Sequence, residues 1–185
     1  MSVTQELSNE HKAVLVALDL LEKVIDALDS GAEDAPEHLD QLLSFFRGFV
    51  DVCHHGKEED VLFPEMERHG MPRDAGPIGV MLEEHDGGRD CVRGMAEGLA
   101  RLREGDSVAL VAIRHHAEAY RDLLRLHIEK EEQVLFPMAE DMIPPDVAAG
   151  IKADFAAIER DRVGAGKHDE YHAMLNRLKT IYGAR

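Results

Sequence analysis

The sequence predicts an all-α protein, an up-down-up-down four-helix bundle with two short C-terminal helices packed on it. Three observations carry this. Apolar residues recur at steps of three and four through four long stretches, each bounded by glycine or proline. No stretch shows the strict two-residue alternation of a half-buried strand. One phrase occurs twice, as His54-His-Gly-Lys-Glu-Glu-Asp-Val-Leu-Phe-Pro64 and as His127-Ile-Glu-Lys-Glu-Glu-Gln-Val-Leu-Phe-Pro137. The repetition makes residues 1–142 a doubled two-helix unit, with 143–185 as a helical extension of the same domain.

In the first helix Leu7, His11, Val14, Leu18, Leu21, Ile25 and Leu28 form one seam, opened by Ser2 and Gln5 as a capping box and stopped at Gly31. Asp34, Pro36 and Glu37 restart the chain with a cap, an early proline and a first-turn carboxylate. The second helix then runs to about Gly70 along Leu39, Leu43, Phe46, Val50, His54, Glu58, Val61 and Glu65. Met71 to Pro77, with two prolines and a glycine, separates the two units. The third helix carries Ile78, Met81, His85, Gly88, Val92, Met95, Leu99 and Leu102, with Gly88 leaving space beside the histidine, and ends at Gly105. Asp106 or Ser107 caps the fourth, whose stripe is Ile113, His116, Tyr120, Leu123, His127, Glu131 and Val134. Pro64 and Pro137 fall late in their helices and are expected to kink or fray the last turns. Rods of about 25 to 35 residues are roughly 40 to 50 Å long. Beyond Pro144 and Pro145 come two shorter helices, one with Val147, Ile151, Phe155 and Ile158, the other from Lys167 with Tyr171, Leu175, Leu178 and Ile181.

A formal charge of −16 argues against a phosphate-tracking surface and reads first as solubility. No stretch approaches the roughly 20 apolar residues of a membrane span, and the N-terminus lacks the basic start and apolar run of an export signal. Two unspaced thiols, Cys53 and Cys91, fit a reducing compartment better than a stapled secreted fold. The expectation is a cytoplasmic protein with neither nucleic-acid nor membrane partner.

His11, His54, His85 and His127 each take a seam position on a different helix. Glu58 and Glu131 follow two of them by four residues, on the same helical face. The upstream histidine of each unit is preceded by glutamate, Glu10-His11 and Glu84-His85, at 43 and 42 residues before the second histidine. One histidine on an apolar seam is ordinarily a satisfied core residue. Four, with two buried carboxylates, would cost several kcal/mol per ion without compensation, and a pair of divalent cations supplies it most simply. Imidazole with carboxylate and no thiolate suits iron, with manganese or zinc less distinctively.

From about residue 8 to 140 this pattern resembles the hemerythrin-like proteins of the HHE cation-binding family, in which four helices hold two irons through histidine, His-x-x-x-Glu, histidine and His-x-x-x-Glu. The resemblance implies an oxo- or hydroxo-bridged di-iron centre with His11, His54, His85 and His127 as terminal ligands and Glu58 and Glu131 as bridges. The ferritin-like Glu-x-x-His spacing is not matched. Oxygen-carrying hemerythrins bring a fifth histidine where this chain has Met81, and an aspartate at five-residue spacing where Glu131 stands at four. The six-ligand set leaves an open position on both irons, which argues against a dedicated reversible carrier. It is similar to the repair-of-iron-centres proteins, whose usual N-terminal cysteine-bearing segment is expected to be lacking here.

The function expected from the resemblance is binding of dioxygen, nitric oxide or peroxide at the open position, in oxygen, oxidative or nitrosative stress response or sensing. The alternative is an iron-donating, iron-sensing or iron-centre repair protein, or a peroxide-consuming di-iron enzyme supplied by an electron donor. Secondary candidates are fewer. His55 stands where an iron-sensing mammalian relative places an extra glutamate ligand, and is expected either to reach metal or to lie exposed. Tyr120 either donates to a bound oxygen species or fills the core, and packing is the favoured reading. Met81 and Met95 read as packing. His168 and His172 have metal-like spacing but, beside Lys167, Asp169 and Glu170, read as a solvated face. Cys53 and Cys91 read as buried small residues.

Overall fold

The computed structural model of the chain describes residues 2–164 and 166–183. Among them all regular structure is helical: α1 (Gln5–Asp29), α2 (Ala35–Phe45), α3 (Phe63–Arg68), α4 (Gly76–Arg103), α5 (Ala109–Lys130), α6 (Phe136–Met142), α7 (Ala148–Ile158) and α8 (Lys167–Tyr182). Wide π turns at Phe46–His55 and Glu58–Leu62 carry α2 into α3, another at Glu131–Leu135 carries α5 into α6, and a fourth at Glu159–Val163 follows α7. No described helix is long and apolar enough to cross a membrane.

α4 and α5 pack along one another, α1 lies against α5 and α2, and α2 with its π extension lies against α4. Small residues permit the closest of these contacts. A Cβ added at Gly98 would stand 2.6 Å from Cγ1 of Ile113. The space expected beside Gly88 is filled by the Tyr120 ring, 3.4 Å from where a Cβ would be.

The seams sort into two apolar clusters with a polar layer between them. One joins Leu18, Leu21, Ile25, Leu39, Phe45, Phe49, Met95, Ile113 and Leu124 to Leu175 and Leu178 of α8. The other joins Leu7, Leu62, Phe63, Ile78, Met81, Leu135 and Phe136 to Ile151 and Phe155 of α7. Each such side chain contributes about 1.5–3 kcal/mol by leaving water. Between the clusters along the rods lie His11, His54, Glu58, His85, His127 and Glu131, all buried.

Four local expectations are corrected. Pro64 and Pro137 do not fray the last turns of their helices; each sits in the first turn of a new α-helix, and the turn before it widens. The Phe63 and Phe136 amides donate five residues back, to the Glu58 and Glu131 carbonyls. A proline ring crowds the carbonyl four residues earlier and offers it no donor, so the ladder absorbs one extra residue instead of breaking. That residue rotates the buried face, so Leu62 and Leu135 take the interior places predicted for Val61 and Val134, leaving Val134 47% exposed. α1 begins at Gln5 with Thr4 as its cap position; Ser2 Oγ accepts the Gln5 amide at 3.0 Å and donates to Glu140 at 2.7 Å, tying the start of the chain to α6. Ile181, placed on the α8 seam, is exposed.

Candidate metal centre

The six residues singled out by type and spacing converge in the polar layer. His11 of α1 and His54 of the first π turn face each other Nε2 to Nε2 at 3.1 Å, and His85 of α4 and His127 of α5 do so at 3.2 Å. Each carboxylate spans the two pairs. Glu131 turns Oε2 to His11 at 3.0 Å and Oε1 to His127 at 3.1 Å. Glu58 turns Oε1 to His54 at 3.7 Å and Oε2 to His85 at 3.4 Å.

The outer ring nitrogens decide what these contacts are. Nδ1 of His11 is 2.7 Å from Glu132, Nδ1 of His54 2.8 Å from Glu10, Nδ1 of His85 2.7 Å from Glu59, and Nδ1 of His127 3.0 Å from Glu84. A carboxylate accepts only, so every Nδ1 carries the proton and every neutral Nε2 presents a lone pair inward. Four lone pairs and four carboxylate oxygens then converge with no donor among them; the oxygens of Glu58 and Glu131 are buried without a hydrogen-bond partner. Such a set needs cations or extra protons. Two nitrogens held about 2.1 Å from one metal at a right angle lie about 3.0 Å apart, close to the spacing of each Nε2 pair. The donor set therefore fits metal, and ligand atoms of His11, His54, Glu58 and Glu131, and of His55, Glu58, His85 and His127, gather within 4.8 Å of one another.

Without metal, protons take up the strain. Burial pulls His127 down, but Glu131 and Glu84 outweigh it and push it up to about 10. His11 and His85 are raised in the same sense against burial, chiefly by Glu131 and Glu58. Burial alone would raise Glu131, yet His127 and His11 hold it well below the usual carboxylate range. Burial and the charge of Glu131 raise Glu58.

The sequence did not mark the four carboxylates that hold the Nδ1 protons, although both pairs were visible: Glu10 and Glu84 precede histidines, and Glu59 and Glu132 double the glutamates of the repeated phrase. Each is itself anchored. Lys57 donates to Glu10 and, at 2.6 Å, to Glu6; Lys130 donates to Glu84; Arg89 donates to Glu59 at 2.6 Å; Ser8 donates to Glu132 at 3.1 Å. Carboxylates in this position orient ligating imidazoles and raise their basicity.

Of the secondary candidates, His55 is not at the surface; it is buried, stacked on His85 with centroids 3.7 Å apart, and neither ring nitrogen makes a hydrogen bond, Asp51 standing 3.6 Å from Nδ1. Burial, then the neighbouring imidazoles, hold it well below the ordinary histidine range, so it is neutral. Tyr120 is buried against Phe46 at 4.8 Å, and Met81 and Met95 are core. His116 packs over Gly94 of α4. His168 does not face solvent freely: its ring lies 4.8 Å from Phe49, and Nε2 is 3.4 Å from Cys53 Sγ. Cys53 is fully buried and Cys91 half-buried.

An all-helical protein whose interior holds paired imidazoles and carboxylates arranged for cations is a metal-binding helical protein. The chain belongs to the hemerythrin family: the model of the hemerythrin HHE cation binding domain matches residues 2–139. It is also similar to the iron-sulfur cluster repair protein YtfE of Edwardsiella ictaluri, 30% identical over 132 residues, covering 70% of this chain and 59% of that protein. The protein of the same name from Salmonella newport is 30% identical over 135 residues, covering 71% of this chain and 60% of its own. The match thus spans about three fifths of the length of these relatives. No solved structure matches the chain significantly.

Proposed function

We propose that the chain holds two iron ions and serves the repair of damaged iron centres, giving up or taking iron under reducing conditions in the cytoplasm. In this reading the four rods run up, down, up and down, and residues 1–142 with the extension 143–185 form one domain. His11 and His54 hold one iron, His85 and His127 the other, and Glu58 and Glu131 bridge them. The observation that carries it is the set of four partnerless carboxylate oxygens between two pairs of facing Nε2 atoms. The relatives named for iron–sulfur cluster repair direct the use of that set.

Bound iron would supply redox change and exchangeable coordination. The chain does the rest. Glu10, Glu59, Glu84 and Glu132 keep each Nδ1 protonated and each Nε2 free for metal. Two imidazoles per metal, rather than three, favour exchange over permanent retention.

A second reading, binding of dioxygen, nitric oxide or peroxide with electrons from a separate donor, is favoured by one feature. A cavity of about 370 Å³ is bordered by His55, Gly88, Arg89 and Tyr120 and reaches the layer where His55 stacks on His85. Anaerobic loading with ferrous ion tests both. Repair predicts two irons per chain and recovery of an iron-stripped [4Fe–4S] enzyme beyond that given by equal free ferrous ion; no excess recovery, with steady peroxide consumption instead, would favour the second.

A further inference from the structure

Among the described residues, a third cluster of ligating side chains lies beside the dinuclear layer. Cys53 is the residue before His54 and turns toward α8. There His168 approaches from α8 with Nε2 3.4 Å from Cys53 Sγ, and a ligand oxygen of Glu10 lies within 4.8 Å of both. His168 Nδ1 is 3.5 Å from Glu159, in the π turn after α7. Glu10, Glu159 and His168 border a cleft of about 300 Å³ that also meets Glu6 and His172, and Cys53 lies buried behind them. Lys57 is the cation in contact with Glu6, Glu10 and Glu159, so three carboxylates share it and the surroundings keep a negative excess.

We propose that Cys53, His168 and Glu10 form a third, mononuclear metal site for a zinc-class divalent cation, beside the dinuclear layer and touching it only through Glu10. The spacing supports it. A tetrahedral metal with sulfur at about 2.3 Å and imidazole nitrogen at about 2.05 Å sets those two atoms about 3.6 Å apart, and the Cys53–His168 separation is 3.4 Å. Glu159 stands 3.5 Å from Nδ1 of His168, longer than a hydrogen bond but placed to close into the carboxylate–histidine–metal arrangement that fixes a ligand's tautomer. Glu10 uses one oxygen for Lys57 and the other for His54, and each carboxylate oxygen keeps a further lone pair for the metal. The fourth position opens on the cleft, with His172 on its wall. Binding turns the Cys53 thiol into a thiolate and releases its proton to solvent; no electron moves. The His-x-x-x-His of α8, which sequence reading left on a solvated face, thereby gains a partner from another helix. The cluster stands whether or not the dinuclear layer holds iron, since it shares only Glu10 with it.

The test adds zinc to the iron-loaded chain under argon and reads X-ray absorption at the zinc edge together with elemental iron. The expected result is one zinc per chain with one sulfur neighbour at about 2.3 Å and iron unchanged. Cys53→Ser should abolish the sulfur signal and Cys91→Ser should keep it. Glu159→Gln should weaken zinc binding about ten- to hundredfold while leaving the sulfur in place. Helix content by circular dichroism shows that each variant is folded. Zinc seen only with nitrogen and oxygen neighbours, or a sulfur signal lost in Cys91→Ser instead, would overturn the proposal. Iron stoichiometry is read separately, so an iron-poor chain that still shows the zinc–sulfur pair would count against the di-iron reading and for this one.

Discussion

At the scale of single residues, the carboxylates behind the histidines set which ring nitrogen turns inward. Glu84 illustrates this: it accepts from His127 Nδ1 and is held by Lys130. Glu84→Gln can present an amide NH2 to the ring instead of a carboxylate, which removes the preference for a proton on Nδ1. Iron affinity should fall about ten- to hundredfold with helix content unchanged, measured by competition with a ferrous chelator. An affinity equal to wild type would mean that Glu84 is a surface acid and no more. The cysteines give a second residue-scale expectation. Burial pushes the Cys53 thiol up to about 12, so it is neutral at ordinary pH in the metal-free fold, while Cys91 is half-buried. A thiolate is the nucleophile, so native protein at about pH 8 should take up one alkylating group per chain, at Cys91, and two after unfolding. Peptide mapping of the label distinguishes the sites. The sign of the linkage follows: a raised folded value favours the folded state fully below the unfolded value of about 9, and that contribution is lost as pH rises toward 12.

At the scale of the element, the π turns position the site. Each repeated phrase ends Leu-Phe-Pro, and in each the proline forces the preceding turn, which begins at Glu58 or Glu131, to take one more residue. Pro64→Ala restores an amide donor and allows an ordinary α ladder. The expected outcome is helicity equal to or above wild type with fewer than two irons per chain, read by circular dichroism and elemental analysis. Full iron occupancy would show that the wide turn is incidental. Close packing gives a control away from the site: Gly98→Ala must move Ile113 and should lower stability by about 1–3 kcal/mol in urea unfolding, with iron content intact. The same turns explain what was legible in the sequence. The seams of α1 and α4 follow a 3.6-residue period and were read correctly from Leu7 to Leu28 and from Ile78 to Leu99. The ends of the second and fourth rods were misplaced by one residue because the reading assumed that period throughout. His55 was missed for the same reason: the chain from Cys53 to Glu58 is buried at six consecutive positions, which no single α-helical stripe can produce. The four ligand-type histidines were legible because identity, spacing and repetition coincide. Their carboxylate partners were not, because the Glu10 to His54 and Glu59 to His85 contacts cross between helices whose neighbours a period does not name.

At the scale of the whole molecule, the C-terminal helices make two similar halves unequal. Lys57 and Lys130 hold matching places in the repeated phrase, yet the Lys57 side chain is 0% exposed, under Phe155 and Glu159, whereas that of Lys130 is 44% exposed. The interior layer that both halves build has one further global consequence, the way stability depends on pH with and without metal. In the metal-free chain His127 is raised from 6.5 to about 10. Its favourable contribution is complete below about 6.5 and is lost as pH rises toward 10. Glu131 is depressed below 4.5, so its contribution is present above that value and is lost as pH falls through the folded one. These two groups together hold the metal-free protein best between about 4.5 and 6.5. Metal held as proposed would reverse the dependence on the alkaline side. At the same Nε2 lone pairs it would compete with protons, and so bind more strongly as pH rises. Because a ligand of the folded state stabilises in proportion to the logarithm of its concentration over its Kd, the melting temperature of loaded protein should exceed that of chelated protein by a margin that grows from about pH 6 to about pH 9. Paired thermal melts across that interval measure the margin. A margin that stays flat or narrows would mean that metal does not displace protons from these imidazoles, and the convergence of the four Nε2 atoms would then need a different occupant.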